Sequence, residues 1–230
     1  MPTTYNNNNS SISLVEKINN FNKFLNIQSF ILLVRPLDIV YESEVAKKKF
    51  IQDLNFVIER GLLIFEIPWV DHQNWLDLIS DLKSKFPHVT IGSASLINKK
   101  SIDDSLKLDL SFSMMRFWNK DLYIYSKKKD YLLIPGMTCM KDFKEAISCN
   151  CCTIKIFPVS NKDILLDINK YNQISFVGAG DIAINDINKF KSLGYQGVVV
   201  GRKGYDGEQF DPEVFKLLNS SIKKYNWINS

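Results

Sequence analysis

The stretch Thr153-Ile154-Lys155-Ile156-Phe157-Pro158 sets a lysine inside an apolar run. Its neighbours read as a buried strand that Pro158 ends. An ammonium without a partner is costly to bury, and lysine is almost never buried for packing alone. Lys155 therefore either lies on an exposed edge or is kept because a desolvated amine is useful. The run Gly61-Leu62-Leu63-Ile64-Phe65-Glu66-Ile67-Pro68-Trp69 asks the same of Glu66, and Leu32-Leu33-Val34-Arg35-Pro36 asks it of Arg35. Together the three side-chain types have a specific use. A desolvated amine near another cation is partly neutral; it attacks a ketone and forms an iminium, which draws electrons from the neighbouring carbon–carbon bond. A carboxylate beside it moves protons as general acid and base. A guanidinium grips a substrate carboxylate through two parallel hydrogen bonds. Each also has an ordinary reading: a snorkelling strand lysine, a structural ion pair of Glu66 with Lys155 or Arg35, a surface arginine.

What separates these readings is the scaffold. Short apolar runs lie at 30–36, 62–68, 89–94, 108–114, 131–136, 153–158, 174–180 and 197–201. Helical spacing marks 42–60, 72–84, 96–107, 118–128, 140–149, 161–170, 184–193 and 211–225, with Asp211 and Pro212 suited to start the last. A further amphipathic stretch, 13–28, precedes the first run, with Ser13 as its N-cap. Eight strand-then-helix units predict a parallel sheet, and continuous apolar runs fit strands buried on both faces. The fold expected is an α/β (β/α)8 barrel with a short helix in front; an open doubly wound sheet is the rival. The domain expected is a single barrel over 13–230, behind a disordered asparagine-rich tail, 1–12.

In such a barrel, chemistry sits at the C-terminal ends of the strands. Arg35, Glu66, Ser93, Ser95, Thr138, Lys155, Gly178, Gly180 and the group Gly201-Arg202-Lys203-Gly204 all fall there. Strand alternation puts Lys155 on one face with Thr153 and Phe157, Glu66 with Leu62 and Ile64, and Arg35 with Leu33.

Composition narrows the class. A net charge of +4, with lysines scattered rather than clustered, argues against nucleic acid as partner. The four cysteines, three of them in Cys149-Asn150-Cys151-Cys152, match no zinc spacing, and His72 and His88 lie far off; free thiols in a reducing, cytoplasmic setting are expected, with no metal. No apolar run reaches membrane-spanning length and no signal peptide is visible, so no membrane is expected as partner. His72 is expected at a helix start.

The chain resembles the 2-keto-3-deoxy-6-phosphogluconate (KDPG) and 4-hydroxy-2-oxoglutarate aldolase family, class I aldolases on a (β/α)8 barrel, from about Gln28 to about Tyr225. The segment around Lys155 is similar to the family's Lys-x-Phe-Pro, whose lysine forms the Schiff base, with Phe157 at the phenylalanine. Glu66 falls on the acid/base glutamate of Glu-x-Thr. Pro135-Gly136-Met137-Thr138 resembles Pro-Gly-x-x-Thr, Arg35 the strand-1 arginine, and Gly92-Ser93-Ala94-Ser95 the family's Gly-x-Gly-Thr. Departures occur where Pro68 replaces the threonine of Glu-x-Thr, Val70 stands where a carboxylate-binding arginine follows, and Ser113-Met114-Met115 replaces Ser-Pro. The phosphate loops also differ, reading Gly178-Ala179-Gly180-Asp181 and Gly201-Arg202-Lys203. Asp181 of the first loop repels a phosphate if it points inward, whereas Arg202 and Lys203 of the second attract one.

The resemblance implies cleavage of a 2-keto acid aldol to pyruvate and an aldehyde, as in Entner–Doudoroff carbohydrate metabolism, by a homotrimer with no organic cofactor. Lys155 and Glu66 would be catalytic. Arg35, Ser93 and Ser95 would hold the pyruvoyl end, and Gly180 with Gly201, Arg202 and Lys203 the far end. Two alternatives stay open: a degenerate barrel that binds a keto acid or phosphosugar in a regulatory or interaction role, and an enzyme of similar fold acting on a phosphosugar without an imine.

Overall fold

In a computed structural model of the chain, residues 13–160 and 168–218 are described. The expected tail, most of the helix expected over 161–170, and the part of the last helix beyond residue 218 lie outside them. Parallel strands β1 (Phe30–Leu33), β2 (Ile64–Pro68), β3 (Thr90–Leu96), β4 (Phe112–Met115), β5 (Leu133–Ile134), β6 (Gly136–Met137), β7 (Thr153–Ile156), β8 (Ser175–Gly178) and β9 (Gly197–Val200) form one sheet. Neighbours in sequence pair with one another except β5 and β6, and β1 also pairs with β9. An open doubly wound sheet would instead leave β1 and β9 unjoined, so the (β/α)8 barrel is the architecture.

Segments β5 and β6 are two halves of the fifth stave. Pro135 lies between them and has no N–H to give a ladder. The first half pairs with β4, the second with β7. The Lys155 N–H donates to the Pro135 carbonyl at 2.9 Å, which carries the sheet across the break.

Helices α1 (Leu14–Ile27), α2 (Ile39–Glu42), α3 (Glu44–Ile58), α4 (Gln73–Lys85), α5 (Lys99–Lys107), α6 (Lys120–Lys127), α7 (Met140–Ser148) and α8 (Ile187–Ser192) surround the sheet, with a last helical stretch over 212–218. Their starts follow the local chemistry. Ser13, Ser43, Asn98 and Asn119 accept from backbone N–H groups of the first turns of α1, α3, α5 and α6. His72 does the same for α4 through Nδ1, at 3.2 Å from the Asn74 nitrogen. Asp211 accepts from the Glu213 N–H at 2.7 Å.

Some boundaries move. The run expected as a strand over 108–114 starts pairing only at β4, because Leu108 ends α5 and Asp109, at φ +47°, turns the chain. The helix expected over 184–193 divides into a 3-10 turn, Ile184–Asp186, and α8.

Two cores result. One lies between strands and outer helices. The other fills the barrel itself, with Ile31, Ile64, Phe112, Met114, Ile134, Val177 and Val199 pointing inward. Phe21 and Leu25 of α1 join this inner core, and the rings of Phe21 and Phe112 are 5.0 Å apart. Helix α1 therefore stops the N-terminal end of the barrel. Gly92 makes this possible: a Cβ there would meet the Phe112 ring at 2.3 Å. Gln28, just after α1, locks the plug in place. Its amide nitrogen donates to the carbonyls of Phe30 and Ile64 at 2.8 and 2.9 Å, and its oxygen accepts from the Leu63 N–H at 2.7 Å. Among the described residues, no helix is long and apolar enough to cross a membrane.

Candidate active site

With one end plugged, the open end of the barrel is the one formed by the C-terminal ends of the strands. A cavity of about 480 Å³ occupies it. Lys155 projects into it from β7 and Glu66 from β2, while Leu33 and Arg35 follow from β1. In a ring of eight staves, β2 and β7 stand opposite each other, so the amine and the carboxylate approach across the barrel axis. Both are buried, at 7% and 2% exposure.

Burial dominates the electrostatics of this pair. It pushes the Glu66 carboxyl above the usual range, against the opposing pull of Lys155 and Arg35. It pulls the Lys155 amine below the ordinary lysine value. Glu66 opposes that change, and Arg116 adds to it. One carboxylate oxygen, Glu66 Oε2, is buried without a hydrogen-bond partner. Among the described residues, no hydrogen bond or ion pair joins Lys155 to Glu66. The Lys155 Nζ lies 5.9 Å from the centre of the Phe157 ring, which also lines the cavity. The arrangement holds a carboxyl and an amine whose proton affinities have been drawn towards each other, facing one enclosed volume.

Ser95, Gly180, Gly201 and Arg202 line the same cavity. Ser93, Thr138, Gly178 and Lys203 do not. Ser93 turns to the helix side, where its hydroxyl lies 2.8 Å from Ser105 Oγ and 2.5 Å from Ser113 Oγ. Thr138 Oγ1 bonds Asp142 at the start of α7, at 3.3 Å. A Cβ on Gly178 would point at Val159, Tyr195 and Val198, also away from the barrel axis. Lys203 is engaged by Asp181, with Nζ 3.1 Å from Oδ1 and 3.0 Å from the carbonyl oxygen.

Of the lining residues outside the expected set, Arg116, Trp69, Val70 and Asp181 bear on the site. Arg116 follows β4 directly. Met114 points inward, so alternation aims Arg116 inward as well; the signal was present but lay two residues past the apolar run. Trp69 forms a wall, held by its Nε1–H donating to Asp104 at 3.0 Å. Val70 lies beside it, and Asp181 lines the cavity at φ +51°. The four cysteines are free, and among the described residues no three His, Cys, Asp or Glu side chains gather as a metal site.

Comparison with known proteins bears on the family and the fold. Residues 35–213 match the family model for KDPG and KHG aldolases. KDPG aldolase from Legionella pneumophila, solved with pyruvate captured at low pH as a covalent carbinolamine, superposes with a TM-score of 0.69 at 16% identity, over 87% of this chain and 95% of that one. The 2-keto-3-deoxy-6-phosphogluconate aldolase of Zymomonas mobilis ATCC 29191 gives 0.68 at 16% identity, again over 87% and 95%. A thiamine phosphate pyrophosphorylase from Pyrococcus furiosus shares the fold more distantly, with a TM-score of 0.57 at 11% identity, over 89% and 100%. No curated protein sequence matches the chain. The family match spans most of the chain and includes every charged residue that lines the cavity, so the chain belongs to the KDPG and KHG aldolase family.

Proposed function

We propose that this protein cleaves a 2-keto-3-deoxy sugar acid, or 4-hydroxy-2-oxoglutarate, to pyruvate and an aldehyde through an imine on Lys155. The observation that carries the proposal is the pair of buried, unbridged groups facing one cavity, Lys155 and Glu66.

The steps follow from their chemistry. The neutral amine adds to the C2 ketone, and loss of water from the carbinolamine leaves an iminium. Breaking of C3–C4 sends its electron pair into the iminium and gives an enamine, while the C4 hydroxyl proton passes to Glu66. The aldehyde leaves. The enamine takes a proton at C3, and water then releases pyruvate and restores the amine. A carboxyl raised towards neutrality by burial both accepts and returns protons near neutral pH, which is the task these steps set. Arg35, Arg116 and Arg202 supply cations for an anionic substrate. Family resemblance supports a homotrimer, the free cysteines fit a reducing, cytoplasmic setting, and the strand-then-helix rhythm supports a single barrel domain over residues 13–230.

Trapping tests this directly. Incubation with pyruvate and borohydride, followed by peptide mass spectrometry, is expected to leave a reduced pyruvoyl adduct on the peptide containing Lys155, absent in Lys155→Ala. No adduct at high pyruvate in folded protein would sink the imine mechanism. One specific observation favours a second reading, a barrel that binds keto acids without turnover: Asp181 brings a carboxylate to the cavity wall. Saturable pyruvate binding without an adduct is the result that reading expects. The unbridged buried amine argues against it, since a binding module has no use for one.

A further inference from the structure

We propose that Arg116 is the residue that holds the substrate carboxylate beside Lys155, a role that strand order alone would give to Arg35. The assignment rests on the imine reading above. A 2-keto acid carries its carboxylate on the carbon next to the ketone. When the Lys155 amine bonds to that ketone carbon, the carboxylate carbon lies two bonds from Nζ and its oxygens three, so its anchor must stand on the lysine side of the cavity.

Arg35 and Arg116 both line the cavity next to the reacting pair, and the sheet places them on different sides. Arg35 follows β1, whose Leu33 pairs in register with Glu66. It flanks the carboxylate. Arg116 follows β4, on the other side of the mouth. Lys155 pairs in register with Gly136, and a Cβ on Gly136 would meet the Arg116 carbonyl oxygen at 2.3 Å. The Arg116 backbone therefore rests on the residue paired with Lys155, and its side chain enters the same cavity. The electrostatics run the same way: Arg116 is the cation that acts on the lysine, and Arg35 the one that acts on the glutamate.

The guanidinium of Arg116 is also available. It lies 5.2 Å from the centre of the exposed Phe117 ring, and among the described residues it faces no carboxylate within ion-pair distance. A flat, unpaired fork suits a carboxylate, which it can meet with two parallel hydrogen bonds. One residue thus has two effects. It binds the C1 carboxylate, and its charge keeps the amine short of a proton.

The test compares two ketones of nearly equal shape, pyruvate and methyl pyruvate, in cyanoborohydride trapping by the full chain. With each protein measured on the high-pH plateau of its own rate–pH profile, where the amine is neutral in both, the pyruvate concentration for half-maximal trapping in Arg116→Gln is expected to rise at least about tenfold, as for loss of a charge-assisted bond, while that for methyl pyruvate stays as before. Arg116→Lys, which keeps the charge but not the fork, is expected between the two. Arg35→Gln removes a cation from the cavity without removing the carboxylate's anchor, so the pyruvate concentration for half-maximal trapping is expected to rise by about threefold at most. No change in Arg116→Gln, an equal loss for both ketones, or a pyruvate-selective loss in Arg35→Gln as large as that in Arg116→Gln overturns the assignment. Failure of the unsubstituted protein to trap either ketone overturns the imine reading, and the assignment with it. That outcome is distinguishable because it needs no variant.

Discussion

Glu66 and Lys155 face each other from opposite staves of the barrel, both buried and unbridged among the described residues. Each is held away from its ordinary charge state mainly by burial, and each opposes the change in the other. Trapping consumes the neutral amine, so its rate rises with pH through the folded-state pKa of Lys155. Glu66→Gln removes an anion that raises that pKa, and the rise is expected at lower pH. Arg116→Gln removes a cation that lowers it, and the rise is expected at higher pH. Rate–pH profiles of trapping by the two variants check both signs; shifts in the same direction would refute the electrostatic assignment.

A buried amine without a bridge should cost stability. Its depressed pKa means the unfolded chain binds more protons, so the cost is full below the folded pKa and fades above the ordinary lysine value. Lys155→Met fills the same space with an apolar chain. It leaves Glu66 more readily protonated, since Lys155 is one of the groups holding that carboxyl down. Thermal unfolding near neutral pH is expected to show a gain of about 1 kcal/mol or more, roughly 2–4 °C in Tm. Loss of stability instead would mean that the amine is well paired in the folded state.

Gly136 is where backbone geometry and chemistry meet. A Cβ there would run into the carbonyl oxygens of Arg116 and Met115, at 2.3 and 2.9 Å, and backbone atoms cannot step aside as a flexible side chain can. Gly136→Ala is expected to lose about 1–3 kcal/mol in denaturant titration and to slow trapping, because the partner strand of Lys155 and the base of Arg116 shift together. Gly201→Ala is the control: the nearest atom to its Cβ is Leu33 Cδ2 at 3.8 Å, ordinary contact, so stability is expected to stay within about 0.5 kcal/mol.

The barrel was legible because each stave is an apolar run followed by a helical stretch. Lys155 and Glu66 stood out because a charge inside such a run has no packing reason to be there. Less legible were residues whose direction depends on a local irregularity. Alternation along Gly92-Ser93-Ala94-Ser95 puts both serines on one face. The register between β3 and β4 shifts between Ser93 and Leu96, and Ser95 sits at φ +62°. That bulge re-aims Ser95 into the cavity while Ser93 stays on the helix side. No periodicity announces a bulge. Arg116 was hidden differently, lying past the end of a run whose strand itself begins four residues later than its apolar residues suggest.

Ser93 belongs to a buried chain of hydroxyls. Ser105 donates to the Ser101 carbonyl at 2.8 Å, which leaves its oxygen to accept from Ser93, Ser93 to accept from Ser113, and Ser113 to accept from Tyr131. Ser93 has a partner on each side and Tyr131 ends the chain. Ser93→Ala is therefore expected to cost about 1–3 kcal/mol, because it strands the Ser113 donor, and Tyr131→Phe about 1 kcal/mol. Neither is expected to change the pyruvate concentration for half-maximal trapping. A selective effect of Ser93→Ala on pyruvate would return that serine to the site.

The far end of the cavity contrasts with the lysine end. Gly180 is followed by Asp181, whose carboxylate engages Lys203 where a bare loop would leave the ammonium to a ligand. The pair is largely exposed, so it adds little to stability, and removing it should not disturb the fold. At Asp181 the backbone is left-handed, at φ +51°, a conformation glycine adopts without strain. Asp181→Gly thus removes a negative charge from the cavity wall and the carboxylate partner of Lys203, leaves that lysine's bond to the backbone carbonyl, and keeps the loop shape. Inorganic phosphate is expected to compete with cleavage substrate at least about tenfold more strongly in this variant, since a repulsive charge leaves the cavity wall. Competition assays at low and high salt check this. Equal phosphate inhibition in both proteins would mean that Arg202 and the loop amides already bind the anion in spite of Asp181, and that a phosphorylated aldehyde end is accommodated as the chain stands.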